Sequence, residues 1–83
     1  MIYIVEDDED IRRIVCYALG NAGYESKGFG ESKDFWNEIK KELPSLVILD
    51  IMLPEENGLA ILEKLRENNS TKNLPIIMLT ATI

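Results

Sequence analysis

The sequence contains no histidine, which excludes an imidazole metal ligand and an imidazole general base. Its single cysteine, Cys16, cannot form an internal disulfide, as suits a reducing compartment. Cys16 flanks an apolar stripe and reads as an inert packing residue. Long apolar runs are missing: none approaches the ~18 residues that a membrane span needs. The opening strand-like residues run straight into acids, without the basic flank and small-residue cleavage site of a signal peptide. Basic residues are few, 9 against 15 acidic, for a formal net charge of −6. That balance argues against direct contact with nucleic acid or anionic lipid and suits a chain that recruits cations. Repeats, low-complexity tracts and Pro/Ser-rich linkers are also lacking. Gly28-Phe-Gly30 lacks the third glycine of a dinucleotide fingerprint. The run from Asp7 to Asp10 lacks the glycine and distal glutamate of a calcium loop, and no Walker A sequence occurs.

What remains is a chain of 83 residues, 46% hydrophobic and 29% charged, the composition of one small soluble domain with a thin core. Residues 2–5 are a continuous apolar, β-branched run, as expected of a strand covered on both faces. Glu6, Asp7, Asp8, Glu9 and Asp10 follow without a break, and the later ones can cap a helix and load its N-terminus. Ile11, Ile14, Val15, Ala18 and Leu19 form a helical apolar stripe and are expected in the core. Gly23 is the expected left-handed cap. Residues 24–29 predict a more polar edge strand with Glu25 and Lys27 outward. Ser32 is the candidate N-cap of a helix carrying Phe35, Trp36 and Ile39, which closes at Leu43-Pro44.

Residues 46–49 predict another buried strand, ending at Asp50. A loop with Pro54 and Asn57-Gly58, both turn formers, follows. Residues 59–68 predict a third helix with Leu59, Leu62 and Leu65 inward, and residues 75–79 a fourth strand ending at Thr80. Alternation of strand and helix at this spacing implies an α/β fold: a parallel sheet with helices on both faces. In such sheets the chemistry gathers at the carboxyl ends of the strands, where Glu6, Asp7, Asp50 and Thr80 all fall.

If the first, third and fourth strands are neighbours, Glu6, Asp7 and Asp50 crowd together. Two carboxylates about 5 Å apart repel by roughly 3 kcal/mol at an effective dielectric near 20. A hard divalent cation relieves that repulsion, and Mg²⁺ typically takes one or two carboxylates while keeping several waters. The same ion could neutralise an incoming phosphoryl group, and Thr80 would offer a hydroxyl donor to one phosphoryl oxygen. Taken alone, the acidic run is a solvated charge cluster and Thr80 a β-former; their convergence with Asp50 makes a phosphoryl-transfer site. Arg12 and Arg13 are expected in solvent.

At these residues the sequence resembles a known family. Ile-Tyr-Ile-Val-Glu6-Asp7-Asp-Glu-Asp-Ile-Arg-Arg is similar to the opening of response-regulator receiver domains. Leu-Val-Ile-Leu-Asp50-Ile-Met-Leu-Pro54-Glu-Glu-Asn-Gly58 resembles their phosphoacceptor strand and loop. Pro-Ile-Ile-Met-Leu-Thr80-Ala81 resembles their hydroxyl-bearing fourth strand. The three motifs occur in family order and cover the whole chain.

The resemblance implies a flavodoxin-like sheet, with the order 2-1-3-4-5 taken over from the family. It implies that Asp50 accepts a phosphoryl group from a sensor histidine kinase or phosphotransfer protein. Mg²⁺ would be bound by Asp7 and Asp50 directly, by Glu6 through water, and by the Met52 backbone carbonyl. Thr80 would contact the phosphate and carry the switch, and Met52 and Thr82 would tune the phosphate's lifetime. The implied module is a cytoplasmic phosphoprotein of two-component phosphorelay signalling, tied to transcription regulation. It catalyses its own phosphorylation and dephosphorylation and is not an enzyme with an external substrate.

The chain stops at Ile83, where the family continues with a fourth helix, a lysine-bearing fifth strand and a fifth helix. Residues 1–83 would thus be the N-terminal part of a receiver domain. Lys72, in the loop before the fourth strand, cannot stand in for the family's lysine, and an unpaired fourth-strand edge would favour self-association. The alternative function is a truncated or engineered half-receiver with a folding or assembly role and no stable phosphorylation. An aspartyl-phosphate hydrolase is disfavoured, because the residue two positions after Asp50 is Met52 and not a second acid.

Overall fold

A computed structural model describes residues 1–79. The elements alternate: β1 (Ile2–Val5), α1 (Glu9–Asn21), β2 (Ser26–Phe29), α2 (Ser32–Lys41), β3 (Leu46–Asp50), α3 (Gly58–Glu67) and β4 (Ile76–Leu79). All strand pairs are parallel, and the sheet order is β2-β1-β3-β4. Parallel neighbours require crossover connections, which the helices supply. The fold is the flavodoxin-like α/β arrangement expected from the sequence, and β1, β3 and β4 are neighbours as the site required. No helix among the described residues is long and apolar enough to cross a membrane.

The period-2 alternation of a strand divides β1 between two cores. Tyr3 and Val5 point to one face, where they pack with Phe29, Phe35, Val47, Leu49 and, from α3, Ile61 and Leu65. Tyr3, Phe29, Phe35 and Trp36 form an edge-to-face chain with successive ring centroids 5.3, 6.1 and 5.1 Å apart, each contact worth about 0.5–1.5 kcal/mol beyond its buried area. Ile2, Ile4 and Ile48 point to the opposite face, where Val15, Cys16 and Leu19 of α1 lie against them. The helices α2 and α3 therefore cover one face and α1 the other.

Several local expectations are corrected. The α1 stripe had the right period and the wrong phase: its inward positions are Arg12, Val15, Cys16 and Leu19, whereas Ala18 is exposed and Ile11 and Ile14 are 44% and 68% exposed. The reason is that the Arg12 stem lies against Gly28 at the end of β2, which rolls Ile11 and Ile14 outward. Arg12 itself is consequently half-buried and not in solvent. In α3 the buried residues are Gly58, Ile61 and Leu65, and Leu62 packs against the same core as expected, while Leu59 is 50% exposed. A Cβ on Gly58 would fall 2.1 Å from the Asp50 carbonyl oxygen, so this close approach sets the helix's rotation. Ser32 is the first residue of α2 and not its cap: Glu31, in extended backbone, holds the N-cap position without a side-chain hydrogen bond. Asp8 caps α1, accepting from the amides of Asp10 and Ile11 at 2.9 and 3.1 Å, and Gly23 takes the left-handed conformation with φ 91°.

Candidate functional site

The site is built at the carboxyl ends of β1 and β3. Glu6 directly follows β1, and its amide donates to the Phe29 carbonyl at 3.0 Å, so the residue is fixed to the sheet before the chain turns into α1. Asp7 occupies that turn and is exposed. Asp50 ends β3, and the Ile51 amide prolongs the β3–β4 pairing by donating to the Leu79 carbonyl at 3.2 Å. Glu6 and Asp50 are 5% and 8% exposed, unusual burial for acids without a cationic partner. Carboxylate oxygens of Glu6, Asp7 and Asp50 all lie within 4.8 Å of one another. The sequence-based grouping of these three is thus realised.

Burial, a hydrogen bond with the Asp50 carboxyl and the charges of Asp50, Asp7 and Asp8 push the Glu6 carboxyl up to about 7. An acid held that high among other acids is short of positive charge. Three hard oxygen donors in mutual reach are the donor set that a small divalent cation takes, so the residues present fit Mg²⁺.

The loop after β3 is anchored at both ends. The Met52 amide donates to Asp50 Oδ1 at 3.2 Å, which fixes the orientation of the carboxylate while leaving it acceptor sites. The Met52 side chain is 75% exposed beside the acceptor. The Gly58 amide closes the loop on the Ile51 carbonyl at 2.8 Å, and Asn57 Oδ1 caps α3 by accepting from Leu59 at 2.8 Å. Between these anchors Glu56 turns inward, accepts from Trp36 Nε1 at 3.0 Å and pairs with Lys64. Burial pushes the Glu56 carboxyl up, but the hydrogen bonds from Lys64, Trp36 and Ser32 outweigh it and hold the group below the usual carboxylate range. One side chain thereby ties the loop to both α2 and α3.

Thr80 and Thr82 lie outside the described residues. Lys72 sits in the loop before β4, at the end of the sheet away from Asp50, and its carbonyl accepts from Arg66 at 2.8 Å. Two contributors escaped the sequence reading. Arg12 reaches back to the backbone of the acidic turn, and the sole signal of it was a basic residue within an apolar helical face. Glu56 forms its ties through side chains distant in sequence, for which no local pattern exists.

Comparison with known proteins places the whole chain in one family's range. The profile of the family described as response regulator receiver domain matches residues 2–83. The transcriptional regulatory protein GltR of Pseudomonas aeruginosa is 37% identical over 81 residues, 98% of this chain and 34% of that protein. The phosphate regulon transcriptional regulatory protein PhoB of Escherichia coli is 32% identical over 80 residues, 96% of this chain and 35% of that protein. The chain thus spans about a third of the length of these relatives. Among solved structures, the N-terminal domain of a response regulator receiver protein from Methanoculleus marisnigri superposes with TM-score 0.91 at 28% identity, covering 98% of this chain and 66% of that one. The Vibrio cholerae chemotaxis protein CheY4 gives 0.90 at 27%, covering 99% and 68%.

Proposed function

The chain belongs to the response regulator receiver domain family, and from that premise we propose that it takes a phosphoryl group from a histidine kinase or phosphotransfer protein onto Asp50. The observation that carries this reading is the buried Asp50 carboxylate at the end of β3, within reach of the carboxylates of Glu6 and Asp7.

A carboxylate oxygen of Asp50 would attack phosphorus. An O–P bond forms, the N–P bond of the donor phosphohistidine breaks, and its electron pair leaves with the imidazole nitrogen, which takes up a proton. Such transfers need chiefly positioning and neutralised charge. The Met52 amide positions the acceptor by holding Oδ1. Asp7 and Asp50 would hold Mg²⁺ directly, Glu6 through water, with the Met52 carbonyl as a further ligand. When bound, the ion supplies the positive charge that the site lacks. Thr80 would contact the phosphoryl group and report its arrival, and the exposed Met52 side chain together with Thr82 would govern how quickly water removes it. Self-catalysed phosphorylation and dephosphorylation in the cytoplasm, with transcription as the regulated output, complete the reading. The relatives GltR and PhoB, both transcriptional regulatory proteins, support that output.

Incubation with Mg²⁺ and acetyl phosphate, followed by intact-mass measurement, tests it. A single phosphoryl adduct that needs Mg²⁺ and is absent from Asp50→Asn is expected. A folded protein that gains no adduct, or gains one equally in Asp50→Asn, would overturn the assignment.

A further inference from the structure

Two arginines open α1, and their surroundings differ. Arg13 stands in solvent, 3.6 Å from Glu9. Arg12 turns toward the sheet: its Nη1 donates to the Glu6 carbonyl at 2.8 Å and reaches the Asp7 carbonyl at 3.5 Å. Its stem lies over the end of β2. A Cβ on Gly28 would fall 2.8 Å from Arg12 Cγ and Cδ, and one on Gly30 would fall 3.0 Å from Nη1. Neither glycine has positive φ; among the described residues Gly23 alone does. Backbone conformation therefore does not call for glycine at 28 and 30, whereas the space occupied by Arg12 does. The Gly-Phe-Gly pattern, which fits no nucleotide motif, has its explanation in this groove.

We propose that Arg12 is a positioning residue for the acidic site, seated in a groove that Gly28 and Gly30 leave open. The Glu6 carbonyl lies in the peptide plane before Asp7 and the Asp7 carbonyl in the plane after it. Because peptide units are planar, the 2.8 Å bond fixes the plane before the Asp7 Cα and the longer contact restrains the plane after it, and together they set the direction in which its carboxylate leaves the chain. Partners outside the ligand set commonly change metal affinity by about 10–100-fold when removed. The proposal rests on the Mg²⁺ reading above.

Charge and position make opposite predictions here. If Arg12 acted only as a nearby cation, its removal would strengthen the pull of the acidic cluster on Mg²⁺. A clamp predicts the reverse. Mg²⁺ titration of Arg12→Ala by calorimetry is expected to show about tenfold weaker binding, with partial rescue in Arg12→Lys, which restores one donor. Gly28→Ala crowds the stem while keeping the charge, so it should weaken binding in the parent chain and add nothing in the Arg12→Ala background. Leu65→Ala, which destabilises the far core, should leave the affinity of the folded protein unchanged and so separate positioning from general stability. Tighter or unchanged binding in Arg12→Ala, or equal effects of Gly28→Ala in both backgrounds, would overturn the proposal. If the parent chain binds no Mg²⁺, the functional reading fails. The clamp is then decided by hydrogen exchange in Arg12→Ala: faster exchange of the Glu6 amide, which donates to the Phe29 carbonyl, with β3 unchanged, supports it, and no change refutes it.

Discussion

Replacing Glu6 with glutamine should stabilise the metal-free protein at neutral pH, although it removes an acid from the centre of the site. In the folded chain the Glu6 carboxyl is pushed from 4.5 up to about 7, first by burial and then by its hydrogen bond and repulsion with Asp50. An unfolded chain has no such neighbours, so the folded state holds on to this proton over the interval between the two values. Stability from this group is complete below about 4.5 and declines as pH rises through about 7. A displacement of that size corresponds to about 3 kcal/mol between the charged and uncharged forms. This is a large share of the total for a chain this short.

Glutamine keeps the shape and can donate a hydrogen bond to Asp50 without ever ionising. Urea unfolding followed through Trp36, the only tryptophan, should be measured at pH 5 and pH 8 in a chelating buffer. The parent chain should lose about 2–3 kcal/mol between the two, Glu6→Gln should lose much less, and the curves should separate most at pH 8. Added Mg²⁺ should recover stability in the parent chain by mass action. The reasoning fails if Glu6→Gln is no more stable than the parent at pH 8 without metal.

Gly58→Ala should displace the loop after β3, because the new Cβ would lie 2.1 Å from the Asp50 carbonyl oxygen and 2.7 Å from Ile51 Cα; we expect more than about 3 kcal/mol of destabilisation in urea. Glu56, held below the usual range by Lys64, Trp36 and Ser32 against the effect of burial, contributes stability above the unfolded carboxylate value that is lost as pH falls through the folded one. Glu56→Gln should therefore cost about 1 kcal/mol at pH 7 and less at pH 3, with a changed Trp36 emission spectrum as the local signature. Leu65→Ala empties a fully buried position and should cost about 3 kcal/mol, read as a lower urea midpoint with an unchanged slope.

The sequence made β1 and β3 legible because buried parallel strands are short apolar runs, and each of these two ends in acids that the sheet then gathers at one edge. That is why Glu6, Asp7 and Asp50 could be grouped before any geometry was known, once neighbouring strands were assumed. Helix phase was not legible. An apolar arc as wide as Ile11, Ile14, Val15, Ala18 and Leu19 allows several rotations, and in the one adopted the Arg12 stem lies on Gly28 of β2 and its guanidinium beside Gly30. In α3 the expected Leu62 and Leu65 do face the core, but Leu59 does not: Ile61 is buried in its stead, with Gly58 close against the Asp50 carbonyl. Ser32 has the residue type of a cap, yet the helix begins one residue early and Glu31 takes the cap position. Period is a property of the segment, whereas phase and side-chain choice belong to the assembled neighbours.

The two unusual acids, Glu6 and Glu56, show how the same residue type is put to opposite uses. Glu56 is half-buried, and the Trp36 and Lys64 donors beside it hold its carboxyl below the usual range, so it serves as a fixed anchor for the loop after Asp50. Glu6 is buried against other acids and keeps its proton to about 7. Its site can therefore be satisfied by a proton or by a cation. Since a metal must displace that proton, Mg²⁺ affinity should rise as pH passes through about 7 and flatten above it. Glu6→Gln would remove this dependence, because the residue that exchanges one positive charge for the other is gone. Arg12 does not relieve the shortage, since its contacts are to the carbonyls of Glu6 and Asp7 and not to their carboxylates. The chain thus places a cation next to its acidic turn and uses it to hold backbone, leaving the carboxylates uncompensated and open to an ion.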